Sequence, residues 1–222
     1  MPVWTEGLAS FALLCVTSLF AITNPLSAAP VYLALTDGYT PAHRRQTLRT
    51  AVLTGAGVLV VFTLLGGTIF QVFGVTIDAF RIAGGLIVFA IGMDMLQAKR
   101  SRVKTTEEEE RQAMLQDEVG ITPLGIPMIA GPGAITTVMV LMTEARTIAH
   151  VAVLLASIAL VLGSIYAALR SGAQLVGRFG QTGLNVMTRL MGLLVAVIGV
   201  QFVVDGMRPI LIGILRAGGG AG

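Results

Sequence analysis

Charge is what this chain has least of. Only 12% of its 222 residues are charged and 55% are hydrophobic. Soluble domains carry about 25% charge, so a water-soluble globular fold is excluded and a polytopic membrane protein is implied. Cysteine is nearly absent as well. Cys15, alone in an apolar run, permits no intramolecular disulfide and no thiol pair for redox work. The two histidines, His43 and His150, lie far apart without metal-ligand spacing. No G-x-S-x-G elbow is present. The expectation is therefore a protein that is not an enzyme, with no metal and no cofactor. The first residues, MPVWTEG, lack the basic flank of a secretory signal and carry Glu6 instead, so the first apolar run reads as a retained span. A net charge of +3 suits basic loops at a membrane surface better than nucleic-acid binding.

Apolar runs supply what the charges leave. Six segments are bounded by charged residues: 7–36, 50–77, 79–98, 119–143, 147–169 and about 187–215. A bilayer crossing takes about 20 apolar residues as a helix, and runs of this length argue against the short alternating strands of a barrel. Arg44, Arg45 and Arg49 follow the first segment; Lys99, Arg100, Arg102, Lys104 and Arg111 follow the third; Arg170, Arg178 and Arg189 surround the gap before the sixth. The other side holds only Arg81, Arg146, Arg208 and Arg216. The basic side is then cytoplasmic and both termini face the periplasm. Trp4, Tyr32 and Tyr39 fit interfacial anchoring. The charged loop 99–118 reads as a solvated connector and 216–222 as a flexible tail.

Proline is out of place in two of the runs. Asn24-Pro25 falls near the centre of the first and Gly131-Pro132-Gly133 near the centre of the fourth. Proline inside a helix costs about 3 kcal/mol, so each run is expected to be two half-helices, with Asn24 or Gly131 as the N-cap of the second. The two places also correspond. ITNPLSAAPVYLALT (22–36) aligns without gaps on IAGPGAITTVMVLMT (129–143), at an offset of 107 residues. RIAGGLIVF (81–89) aligns on RLMGLLVAV (189–197) at an offset of 108. Residues 1–98 and 119–215 then form two repeats of three spans each. Because three is odd, tandem copies cross in opposite senses, as inverted repeats in secondary transporters do.

The expected fold is thus an all-α membrane protein of six transmembrane helices, with spans one and four broken near the midplane. Both second half-helices would present their N-termini, a natural anion site, at the bilayer centre. Thr23, Asn24, Pro25, Ser27, Gly131, Pro132, Gly133, Thr136 and Thr137 are the candidate substrate-binding residues. The hydroxyls and bare glycines suit a small zwitterion; for Thr137, back-bonding to its own helix is an equal reading. Asp94 and Asp205 are candidates for coupling a proton or sodium ion, although Asp205 and Arg208 are also spaced to pair. Arg81 is expected to snorkel to the interface.

The segments TNPLSAAPVYLALT, AFRIAGGLIVFAIGMDML, GITPLGIPMIAGPGAITTVMV and RLMGLLVAVIGVQFVVDG resemble those of the MarC family, from about residue 7 to 215. That resemblance implies a six-span bacterial inner-membrane protein. Members include a transporter of small neutral amino acids such as glycine, alanine or serine. Under it, residues flanking Asn24-Pro25 and Gly131-Pro132-Gly133 would line a substrate site. A non-transporting membrane scaffold or stress-response protein, acting through loop 99–118, is the competing reading. Neither the oligomeric state nor the direction of transport follows from the residues.

Overall fold

Residues 7–98 and 119–218 are described by the computed structural model, and their regular structure is helical with no strand among the described residues. The first run folds as α1 (Leu8–Thr23) and α2 (Pro25–Leu35), followed by α3 (Pro41–Phe73) and α4 (Ile77–Leu96). The second part comprises α5 (Gly120–Ile129), α6 (Pro132–Glu144), α7 (Ile148–Arg170) and α8 (Gly172–Gly218). Threonine hydroxyls start three of these helices. Thr40 accepts from the His43 N–H, Thr76 from Ala79 and Thr147 from His150, each satisfying one of the first, unpaired amides.

Five stretches are long and apolar enough to cross a membrane, with α1 and α2 counted together. Helices α5 and α6, bent by 53° at their junction, make a sixth if taken as one span. Leu13, Leu53, Leu86, Leu160 and Val197 point outward along these helices, as expected where the surrounding solvent is hydrocarbon.

Two expectations need correction. The first half of span four is not a regular half-helix. Thr122 and Ile126 in α5 have extended backbones, the Thr122-Pro123 and Ile126-Pro127 peptides are cis, and the remaining turns are wide. With two prolines four residues apart, the ordinary hydrogen-bond ladder cannot form there. Irregular backbone at membrane depth has to be covered by protein, and α3 supplies the cover. A Cβ on Gly120 would meet Thr47 and Thr50, one on Gly125 would meet Thr54, and one on Gly55 would meet Ile129. The gap between spans five and six is also not a loop. Helix α8 starts at Gly172, and Gly180 (φ 63, ψ 171) joins a short first part to the spanning part. Only glycine accepts that backbone without strain. Helix α8 also continues through Gly218, into the expected tail. Residues 219–222, Trp4 and loop 99–118 lie outside the described residues.

Helices α4 and α8 form the longest contact, along a seam of glycines seven residues apart. A Cβ on Gly85 would lie 2.6 Å from the Gly199 carbonyl oxygen, and one on Gly199 would lie 2.7 Å from that of Gly85. Gly192 is likewise set against the carbonyl of Gly92, and Gly206 against that of Asp78. Rising number on α4 meets falling number on α8, so the two run antiparallel. Lipid offers no hydrophobic drive for such contacts, and close backbone approach through small residues replaces it. Helix α3 runs parallel to α5 and α6, and α1 packs on α7, where Phe11 sets its ring against His150 at 5.1 Å.

Candidate functional site

Asn24 makes the first break. Its backbone is left-handed (φ 45, ψ 71), a region Asn tolerates better than other non-glycine residues, and its side-chain oxygen accepts from the Ser27 N–H at 3.4 Å. Pro25 takes the first helical position of α2, where a missing N–H costs nothing. Asn24 is buried, at 1% exposure, and its Nδ2 has no hydrogen-bond partner among the described residues. Most buried donors are paired, so this one stands out.

Gly131 makes the second break with an extended backbone (φ −82, ψ 170) and no side chain to cap α6. Pro132 again occupies the first position, and the N–H groups of Gly133 and Ala134 have no carbonyl one turn earlier within the helix. The two breaks come together in the fold. A Cβ on Gly133 would lie 2.9 Å from the Ile22 side chain and 2.8 Å from that of Ile91. Two residues beyond Ile22 is Asn24. Ile22, two residues before the first break, thus touches Gly133, two residues after the second.

The hydroxyls divide. Thr23 donates to the Leu19 carbonyl at 2.8 Å and Thr137 to that of Gly133 at 2.8 Å, so both are engaged by their own helices. Ser27 donates to the Asn24 carbonyl at 3.1 Å and remains half-buried. Thr136 is buried, and its methyl group faces Gly84 of α4 so closely that a Cβ there would sit 2.1 Å away. Pro132 and Thr136 also line the inner part of a cleft of about 360 Å³ between α3, α4 and α6. Its walls are apolar: Phe62, Phe70 and Phe73 from α3, Phe80 from α4 and Met139 from α6. Of the nine candidate residues, these two line this cleft.

Charged and aromatic groups sit differently from the sequence expectation. Arg81 does not snorkel freely. It forms an ion pair with Glu144, donates to Thr143 Oγ1 at 2.7 Å, and is only 14% exposed. This tie between α4 and the end of α6 escaped sequence reasoning, because the partners are 62 and 63 residues apart. Tyr32 is buried rather than interfacial, and its hydroxyl donates to the Arg44 carbonyl at 2.9 Å. Arg44 returns a bond from its guanidinium to the Thr36 carbonyl at 2.9 Å, fixing the end of α2 on α3. Asp205 accepts from Gln201 at 3.0 Å, while Arg208 makes no ion pair with it. Asp94 is half-buried near the end of α4, and the basic Lys99 and Arg100 that follow it in sequence lie outside the described residues.

A family model described as MarC family integral membrane protein matches residues 9–211. This chain belongs to the MarC family. Among curated relatives of this MarC protein is the UPF0056 membrane protein YhcE of Escherichia coli K12, 39% identical over 198 residues, or 89% of this chain and 92% of the relative. PYRAB13050 of Pyrococcus abyssi is 39% identical over 91% of this chain and 96% of its own. YvbG of Bacillus subtilis is 38% identical over 91% of this chain and 98% of its own. No solved structure matches. As an integral membrane protein, the MarC chain would place both of its breaks within spans.

Proposed function

We propose that this MarC-family protein is a secondary transporter of small neutral amino acids across the bacterial inner membrane, working by alternating access between two inverted three-helix halves. One observation carries the reading. The buried Asn24 Nδ2 is a donor without an acceptor among the described residues, and Ile22, two residues before it, touches Gly133 in the uncapped first turn of α6. A carboxylate held there would accept from Asn24 Nδ2 and from the Gly133 or Ala134 N–H, helped by the positive end of the α6 dipole. No charged side chain is needed for this, which suits membrane depth, where ionised groups are costly. Gly131, with no side chain, would let a small guest approach the backbone of that turn.

The packing supports the inverted arrangement. Helix α2 packs on α7 and α8, as α6 packs on α3 and α4, and α4 meets α8 head to tail. Basic loops put both termini in the periplasm. Asp94 and Asp205 are the candidates for ion coupling.

The test is uptake or exchange of radiolabelled glycine and alanine by purified protein in proteoliposomes, under proton and sodium gradients. Asn24→Gly is the informative variant. Glycine keeps the left-handed backbone and costs only a few tenths of a kcal/mol as an N-cap, about the least of any replacement. Uptake should fall at least about tenfold for loss of one buried hydrogen bond of about 1.4 kcal/mol, while the unfolding temperature barely moves. Folded protein with no uptake or exchange under any gradient overturns the proposal.

A further inference from the structure

Helices α3 and α4 are consecutive spans joined only by Gly74, Val75 and Thr76, yet they do not pack along their length. Each packs on α6 instead, and the two meet at their joined ends, where the rings of Phe70 and Phe80 lie 4.7 Å apart. The gap left between them is the apolar cleft of about 360 Å³. Phe62, Ile69, Phe70 and Phe73 put one face of α3 along it. Gly66, on that helix, lets α6 close in behind: a Cβ there would meet the Met139 side chain at 3.2 Å.

The cleft has a definite depth. Its outer end is at the α3–α4 turn, where Val75 and the largely exposed Phe73 stand. Its inner end is at Pro132, the first residue of α6 and the middle of the α5–α6 pair taken as one span. From Phe62 to Phe73 the helix rises about 16 Å, at ~1.5 Å per residue. One leaflet of hydrocarbon is about 15 Å deep, half of the ~30 Å core. The cleft therefore runs from a membrane surface to about the midplane, the reach of one acyl chain.

Its walls suit such a chain and little else. A trapped water needs two to four polar partners, whereas Thr136 alone among the lining residues carries a side-chain O–H or N–H. Four of the nine phenylalanines of the chain line this one place. Beside the mouth, Val72 and Leu65 are exposed, so the cleft is continuous with the lipid-facing side of α3. Lipid tails supply no hydrophobic drive. A preference for the cleft over bulk lipid comes instead from dispersion, because fixed rings surround the chain on most sides.

We propose that this cleft binds one acyl chain of a membrane phospholipid, with the methyl end at Pro132 and the carbonyl end at the α3–α4 turn. Pro132 and Thr136 are also candidate substrate-site residues, so the chain buttresses the α6 break from its lipid side. The site does not depend on the protein moving an amino acid. Its walls hold the chain, so the headgroup matters little.

Tryptophan quenching tests this on the full chain. Trp4→Phe removes the native tryptophan. Phe62→Trp then reports from the inner end of the cleft, and Leu160→Trp, on the exposed side of α7, reports bulk lipid. Protein in detergent micelles is titrated with phosphatidylcholine whose chains carry bromines near their methyl ends. Phe62→Trp should be half-quenched at a lipid mole fraction at least about tenfold below that for Leu160→Trp, a preference of about 1.4 kcal/mol. Phosphatidylglycerol with the same chains should give the same ratio. Bromines placed beside the carbonyls should quench Phe62→Trp less and Phe73→Trp more. Ile135→Phe, which narrows the cleft, should erase the difference between the two reporters. Ile69→Trp, on the same wall, repeats the measurement should the larger ring disturb the fold at Phe62. Quenching of both reporters at one mole fraction overturns the proposal, since the cleft is then ordinary bilayer. So does a cleft reporter that stays unquenched: red-shifted emission would mean water inside, and blue-shifted emission a second copy of the chain lying over the mouth.

Discussion

At Asn24 one side chain performs two tasks that most residues keep apart. It accepts a left-handed backbone that a β-branched residue would resist, and its oxygen caps the helix that begins beside it. Asn24→Ala should therefore be worse for stability than Asn24→Gly. It loses the cap, worth about 1 kcal/mol, and adds the left-handed penalty of about 1–2 kcal/mol. Thermal unfolding in detergent, followed by the fluorescence of a thiol dye at the buried Cys15, would order the two variants. Gly84 offers a similar test. With Thr136 so close, Gly84→Val forces α4 away from α6 and should cost about 1–3 kcal/mol, the usual range for an overpacked contact. The same change at Gly57, where no atom lies within 4 Å of a new Cβ, should leave the unfolding temperature nearly unchanged.

Elements explain which parts of the fold were legible in the sequence. Long uncharged runs mark spans because the bilayer imposes a length on them, and Asn-Pro marks a break because proline has no N–H to give. Span one and the junction before α6 followed from those facts alone. The interior of α5 did not. Its prolines announced trouble, but whether the chain would bend, unwind or extend depended on α3 presenting Thr47, Thr50, Thr54 and Gly55 as a receiving face. No pattern within α5 records that. Arg81 shows the same limit for the site. Position near a boundary suggested snorkelling, and only the return of α6 to the same end placed Glu144 and Thr143 within reach. Helix α8 was misjudged for a different reason: short polar stretches read as loops unless a neighbour holds them, and Gly172 is held against Leu33 and Ala29. Gly180→Ala, which puts a Cβ on an extended backbone at positive φ that only glycine adopts readily, should cost about 1–3 kcal/mol. The same thermal scan measures it.

At the scale of the whole molecule, orientation is the simplest quantity to check. The proposed orientation has both termini in the periplasm, by the positive-inside rule applied to the basic residues at one end. Alkaline phosphatase fused after Gly222 should then be active in cells, and green fluorescent protein at the same place should be dark. The reverse result would exchange the two ends without altering the packing. The seam itself is symmetric: Gly85 meets Gly199 and Gly92 meets Gly192, and adding 107 to the α4 member of one pair gives the α8 member of the other, one residue short of the 108 at which RIAGGLIVF aligns on RLMGLLVAV.

That seam has a mechanical meaning. Backbone rests on backbone at those glycines, while side chains such as Val203 and Met95 fill in around them. Val88 and Val195, both at 0% exposure, mark the fulcrum between the two glycine contacts. Were the halves to rock, a small turn at this centre would move both ends of the α4–α8 pair at once, by an amount that grows with distance from it.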